Sequence, residues 1–162
     1  RKQIIIELSK FAEKIHLDIS GKNEILRIEY SPSVNELSKE VFDKSFSEDL
    51  RRGFTTFGPH RDDYIFIINN KNTAIYGSQG QQRNAILSSK LAMAEIIFKI
   101  KKEAPTLLLD DVFSELDKNR QNALINSLNP NFQTIITTAS ISDLDKEILD
   151  KAFIIKLDKR SE

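Results

Sequence analysis

Residues 105–117, PTLLLDDVFSELD, constrain the fold of this chain more than any other stretch. A short run free of charge, Thr106-Leu107-Leu108-Leu109, follows a proline. A run of that length reads as a strand buried on both faces, the kind found in a parallel sheet. It ends in two adjacent acids, Asp110 and Asp111. Carboxylates at the end of such a strand point into the crevice where open α/β sheets keep their ligands. Hydrated Mg²⁺ on a nucleotide phosphate is one ligand of that kind. The plainer alternative is a strand followed by a polar turn.

The residues C-terminal to this stretch support a parallel arrangement. Residues 118–128 read as a helix, with Ser114 and Asp117 both candidate caps. Asn129-Pro130-Asn131 ends it, 134–138 is a β-branched strand, 142–152 a short helix and 153–157 a last strand. Strands alternating with crossovers of helix length specify a parallel sheet.

Upstream, residues 1–16 place Ile4, Ile5, Leu8, Phe11, Ala12 and Ile15 on one helical face. His16 falls on the flank of that helix and reads as a surface residue. Residues 25–30, ILRIEY, alternate as a half-exposed strand does. Residues 34–52 read as one helix or two, with Leu37, Val41, Phe42, Phe46 and Leu50 on one side and Gly53 as the stop. Their spacing assigns most phenylalanines to the core. Arg51-Arg52 reads as a solvated helix end. Residues 64–68 and 73–76 read as two strands around Asn69-Asn70-Lys71-Asn72, because asparagine tolerates the positive φ of a hairpin turn.

Residues 78–83, SQGQQR, lie between a strand and a helix running to about Lys102. That helix carries Leu87, Leu91, Ala94 and Phe98, flanked by Ile86, Met93 and Ile97, on a wide apolar face. A hydroxyl and a glycine at a helix N-terminus leave backbone N–H groups free for an anion; a simple helix cap is the alternative. The length of the helix brings this turn back to the acidic strand, so the helix is expected to pack directly against it. A phosphate-binding G-x-x-x-x-G-K-[ST] loop is absent: of Gly21, Gly53, Gly58, Gly77 and Gly80, only Gly53 and Gly58 have the spacing, and Pro59 follows where lysine belongs.

Composition excludes several chemistries. There is no cysteine and there are two histidines, His16 and His60, so thiolate and His-built metal sites are not expected. The 24 basic and 24 acidic residues cancel, so any DNA contact must be local. No apolar run is long enough for a membrane helix, and a soluble, cytoplasmic setting is expected. The chain begins at Arg1, not Met, which suggests a piece of a longer protein.

Three motifs in order, GPHRDD at 58–63, YGSQGQQR at 76–83 and LLLDDVFSELD at 107–117, carry a resemblance. Together they resemble the RecF-like family of SMC-like ABC ATPases. The resemblance implies an α/β fold: the C-terminal lobe of a P-loop ABC-type ATPase head, with a mostly parallel sheet and flanking helices. Residues 1–53 would be part of a helical arm with one strand, and 54–162 the lobe itself. It implies that Ser78, Gly80 and Gln81 are the signature meeting the γ-phosphate of ATP on a partner subunit. Asp110 would hold Mg²⁺, Asp111 would be the catalytic carboxylate, and Ser114 and Asp117 would belong to the D-loop that crosses the dimer interface. Asp111 stands where ABC proteins usually have glutamate. Thr138 would take the switch position, often histidine in such ATPases. His60 and Arg61 are either a structural cluster, with Arg61 paired to Asp62 or Asp63, or a group near the nucleotide or the dimer interface.

The same resemblance implies ATP and Mg²⁺ as cofactors of the full-length protein, with none on this piece alone. It implies ATP-driven homodimerisation on DNA at junctions or gaps, slow hydrolysis, and RecO and RecR as pathway partners in recombinational repair, gap repair and replication restart. A lobe without the phosphate loop would be inactive by itself. Two other classes stay open on the residues. One is a Mg²⁺-dependent phosphohydrolase or nuclease using Asp110 and Asp111 with Asp62 and Asp63. The other is an interaction module without chemistry.

Overall fold

The structure is a computed structural model and describes residues 1–34, 38–114, 116–142 and 144–157. It begins with α1 (Lys2–Ile19), which buries Leu8, Ala12, Ile15 and Ile19 and leaves Lys10, Glu13 and Lys14 in water. Gly21 and Lys22, both at positive φ, turn the chain into β1 (Leu26–Ser31). Next is α2 (Lys39–Arg52), started by the Ser38 hydroxyl accepting from the Val41 N–H and stopped by Gly53 at φ 73°. Leu37, which the spacing assigns to this helix, lies outside the described residues. A 3₁₀ turn at Pro59–Arg61 leads to β2 (Asp63–Ile68), the two-residue β3 (Lys71–Asn72), α3 (Thr73–Tyr76) and the longest helix, α4 (Gln79–Lys101). The chain ends with β4 (Thr106–Asp110), α5 (Lys118–Ser127), β5 (Gln133–Thr137) and α6 (Lys146–Lys151).

The architecture is mixed α/β, built on two small sheets. β1, β2 and β3 form an antiparallel sheet in that order, and β4 pairs with β5 in parallel. The register sets Leu26 opposite Ile68 and Asp110 opposite Thr137. A mostly parallel sheet was expected; among the described residues β4–β5 is parallel and the other pairs are antiparallel. The hairpin turn is placed correctly, since Asn69 and Asn70 both have positive φ. Residues 73–76, however, form a helical turn instead of a strand. The Asn72 side chain accepts from the Ala74 N–H and starts that turn before the ladder can extend. Residues 153–157 are not a strand either. Phe153 and Leu157 are 91% exposed, and a strand exists only where a neighbour completes its ladder.

The core is arranged around α1, which packs along α4, across β1 and against α5. Its inner face meets Leu91, Ala92 and Ile96 of α4, Leu124 of α5, and Leu109 and Phe113 at the end of β4 in one cluster. The main partner of α4 is therefore α1, and not β4 as its length suggested. The apolar face of α4 is also narrower than its sequence implied: Leu91 and Ala94 are buried, while Ile86, Met93 and Ile97 are exposed. β4 is buried on one face only, with Leu109 inside and Leu108 74% exposed. Of the phenylalanines, Phe113 and Phe132 are buried, but Phe42, Phe46, Phe54 and Phe153 are exposed. Periodicity reports a stripe. It does not report whether another element covers it.

Candidate functional site

The acidic end of β4 is held by its parallel neighbour. Asp110 closes the ladder opposite Thr137, whose hydroxyl donates to Asp110 Oδ1. Asp111 then takes φ 47°, a left-handed conformation uncommon outside glycine that aspartate tolerates better than most side chains. Its N–H is shared between the Thr137 carbonyl at 3.2 Å and the Thr137 hydroxyl at 3.1 Å. One threonine therefore grips both acids, accepting from the backbone of Asp111 and donating to the side chain of Asp110. Such a backbone costs of order 1–3 kcal/mol and persists only where its surroundings hold it. The two bonds from Thr137 supply that restraint. Both acids are exposed.

The next segment is clamped from below. The Ser114 hydroxyl donates to the Asp111 carbonyl at 3.0 Å. Phe113 is buried. Gln121 of α5, also buried, donates its amide to the carbonyls of Phe113 at 3.2 Å and Leu116 at 3.0 Å. Of the two candidate caps, Asp117 is the one used, accepting from the Arg120 N–H at 2.9 Å. Glu115 lies outside the described residues. Sequence reading passed over Gln121. Its signal was a polar residue in register with Leu124, Ile125 and Leu128 on the apolar face of the helix.

The second group sits at the start of α4. Gly77 is obligatory for a steric reason: a Cβ there would lie 2.5 Å from the Thr73 carbonyl oxygen. Ser78 and Gln81 form a reciprocal capping box, in which the Ser78 hydroxyl accepts from the Gln81 N–H and the Gln81 side chain accepts from the Ser78 N–H at 2.9 Å. Gly80 faces open space. Gln82 ties the turn to α3 through the carbonyls of Thr73 and Gly77.

His16 corrects the sequence reading. It is fully buried instead of lying on the surface, with Nδ1 3.2 Å from the Ser88 hydroxyl and Nε2 3.0 Å from Glu24. Burial dominates its titration and lowers its pKa below the ordinary 6.5, against the opposing pull of Glu24. The flank of α1 is covered because α4 packs there, a contact the helix's own periodicity cannot announce.

GPHRDD forms a separate structural corner. The Ser33 hydroxyl accepts from the Gly58 N–H at 2.9 Å, and Asp62 accepts from the Ser33 N–H and from the Tyr30 hydroxyl. The Tyr30 bond, then the Ser33 N–H, hold Asp62 below the usual carboxylate range. Arg61 has no ion pair with Asp62 or Asp63 among the described residues. Its Nε donates to the Thr55 carbonyl at 3.1 Å, and its guanidinium lies 4.7 Å from the centre of the Phe54 ring. His60 bonds the Thr55 hydroxyl at 2.8 Å. Thr138, the expected switch position, donates to the Ser140 carbonyl and closes the loop after β5. Its neighbour Thr137 is the residue that touches Asp110.

The structure thus brings Asp110, Asp111 and Ser114 together, with Asp117 just beyond, and brings Ser78, Gly80 and Gln81 together. Among the described residues no hydrogen bond or ion pair joins the two groups. No set of three or more His, Cys, Asp or Glu side chains converges on a metal position among those residues. A cation at Asp110 would therefore rest on no more than two such side chains and complete its shell from water and phosphate, which is how Mg²⁺ is usually held in nucleotide sites. A cage of four acids including Asp62 and Asp63 is not formed.

No family model matches the chain. Curated relatives do. It is 43% identical over 168 residues to the DNA replication and repair protein RecF of Geobacillus sp. (strain WCH70), covering 97% of this chain and 45% of that protein. It is 47% identical over 156 residues to RecF of Bacillus cytotoxicus, covering 90% of this chain and 42% of that protein. The chain spans under half the length of these relatives. Among solved structures it is similar to the recombination mediator protein RecF-ATPrS in the RecFOR pathway, with a TM-score of 0.68 at 37% identity over 88% of this chain and 41% of that one. RecF-ATP of the same pathway matches with a TM-score of 0.63 at 36% identity, over 86% and 40% of the two chains.

Proposed function

Because this chain is a RecF homologue across nearly all of its length, we propose that it is the signature and acidic-strand lobe of a RecF-type ATPase head acting in recombinational repair. In the whole protein, ATP closes a homodimer on DNA and slow hydrolysis reopens it. DNA is held through its phosphates at junctions and gaps, by shape and not by base. RecO and RecR are the pathway partners.

The observation that carries this reading is the grip of Thr137 on both acids at the end of the parallel strand β4. Mg²⁺, when bound, neutralises phosphate oxygens and the charge that develops on them. Asp110 would hold it, with one oxygen already oriented by the Thr137 hydroxyl. Asp111 stands one residue beyond, on a backbone turned out of the strand, as the carboxylate that orients the attacking water and accepts its proton. The Ser78 hydroxyl and the free N–H groups beside Gly80 would face the γ-phosphate on the partner subunit. Ser114 ties the Asp111 carbonyl to the segment that crosses between subunits.

The test uses the longer protein that carries the phosphate-binding loop. Asp111→Asn is expected to keep ATP-dependent dimerisation in sizing experiments and to lose turnover by roughly 100-fold or more, the range of a general base. Turnover near the wild-type rate would remove Asp111 from the catalytic role.

A further inference from the structure

Glu24 belongs to none of the sequence motifs, yet it touches one of them. Its Oε1 accepts from the side-chain amide of Gln81 at 2.9 Å, and its Oε2 lies 3.0 Å from His16 Nε2. The Glu24 side chain is only 14% exposed and that of His16 not at all. The line of contacts runs from Ser78 through Gln81, Glu24 and His16 to Ser88, which is buried in the middle of α4.

Each link is chemically directional. A carboxylate can only accept, so Glu24 must face the NH₂ end of the Gln81 amide. That leaves Oε1 of Gln81 for the Ser78 N–H, where it is found at 2.9 Å. Without Glu24 the amide could turn over and present two donors to Ser78, breaking the capping box. The same logic requires a proton on His16 Nε2. In a neutral ring Nδ1 then faces the Ser88 hydroxyl 3.2 Å away, with the Asn84 backbone also against the ring. Every hydrogen-bonding atom of the Gln81 side chain that the turn uses is thus spoken for by Ser78 and Glu24.

We propose that Glu24 is a positioning residue for the signature turn: it fixes the amide orientation of Gln81, and the buried His16–Ser88 pair in turn fixes Glu24. Gln81 is then a rigid internal brace and not a phosphate ligand. The Ser78 hydroxyl proton and the N–H groups at the open face of Gly80 are left to meet an anion. The consequence for nucleotide binding rests on the signature reading of this turn; the relay itself does not.

The relay is tested first on this chain without nucleotide. Glu24→Gln can accept from only one of its two partners, because its other end is an NH₂ group. Hydrogen exchange at the backbone N–H groups of Gln81 and Gln82 is expected to quicken about fivefold, the effect of losing one net hydrogen bond. ¹⁵N shifts of His16 are expected to move from a single Nε2–H tautomer to a mixture. Gln81→Ala, a truncation at a half-buried position, guards against misfolding of the first variant. Adding Glu24→Gln to it should produce no further change in exchange at Gln82, since the two residues act through one contact. Unchanged exchange and tautomer in Glu24→Gln, or additive effects in the double variant, would overturn the proposal. In the longer protein, Glu24→Gln should weaken ATP-driven dimerisation as much as Gln81→Ala does. A relay broken on this chain with dimerisation intact would refute the signature reading of the turn and leave the relay standing.

Discussion

Thr137 and His16 are the two residues whose roles depend most on their neighbours. Thr137 reads in the sequence as one more β-branched strand residue. In the fold its hydroxyl has one proton, given to Asp110, and a lone pair that receives the Asp111 N–H. Thr137→Val keeps the shape and removes both bonds. It is expected to lower stability by about 1 kcal/mol in urea denaturation, the usual net value of such a bond, while the Thr137 carbonyl still holds the Asp111 N–H. His16 titrates against burial. Around it stand Glu24 and Arg120 as charged groups, with Ser88 and the Asn84 backbone. Its folded pKa lies below the unfolded value near 6.5. Above about 6.5 neither state binds the proton, so the group contributes no pH dependence. As pH falls below that value the unfolded chain takes up the proton first, and stability declines until the folded pKa is passed. Thermal unfolding between pH 7 and 5 should show this decline, and His16→Gln should flatten it. A separate loss is expected as pH falls below about 4, where Asp62, Asp49 and Asp145, all held below their ordinary values by hydrogen bonds, become protonated.

At the scale of elements, α2, α4, α5 and α6 are capped by side chains at their starts, while the helix faces are covered unevenly. Ser38, Ser78, Asp117 and Asp145 each cap the helix that begins just after them with a side-chain oxygen. Ser78→Ala is expected to cost about 1 kcal/mol, as N-cap removal does, read as a lower melting temperature. Gly77→Ala should cost more than that. Its methyl group would overlap the Thr73 carbonyl, and α3 would have to shift away from α4. The faces tell a different story. α2 has the spacing of a core helix in Phe42, Phe46 and Leu50, yet it buries no residue. Asp49 joins it to the loop that leads to β2, accepting from the Thr56 N–H and hydroxyl. Its outer end is a fork, Arg51 and Arg52 both on Glu48, as a solvated helix end would be.

Among the described residues the molecule has a well-covered centre and, apart from α2, a bare flank. The centre is α1 with α4, α5 and β1 around it. The flank is the outer face of the β4–β5 pair, where Leu108 and Ile135 stand side by side in register and exposed. Two parallel strands are too few to be stable without a covering layer on each face. Contiguous apolar surface of this kind binds hydrophobic dyes and promotes association. Leu108→Gln with Ile135→Gln is therefore expected to reduce dye fluorescence and self-association in light scattering, with little change in stability. Leu124→Ala, in the fully buried centre, should instead cost about 2–5 kcal/mol.

The sequence by itself determined the local events. It specified where α4 and α5 start, which asparagines turn the hairpin at Asn69 and Asn70, where β4 ends in two acids, and the family to which three short motifs point. These rest on nearest-neighbour chemistry: a cap needs its own adjacent N–H groups, and a turn needs its own φ. Only the tertiary structure decided what lies against what. It buried His16 under α4, left Phe42 and Phe46 uncovered, denied residues 153–157 a ladder partner, and set the Thr137 hydroxyl against Asp110. It also brought Glu24 to Gln81 across a separation of 57 residues. Burial and long-range hydrogen bonds depend on the partner element. That dependence is not written in the spacing of either residue.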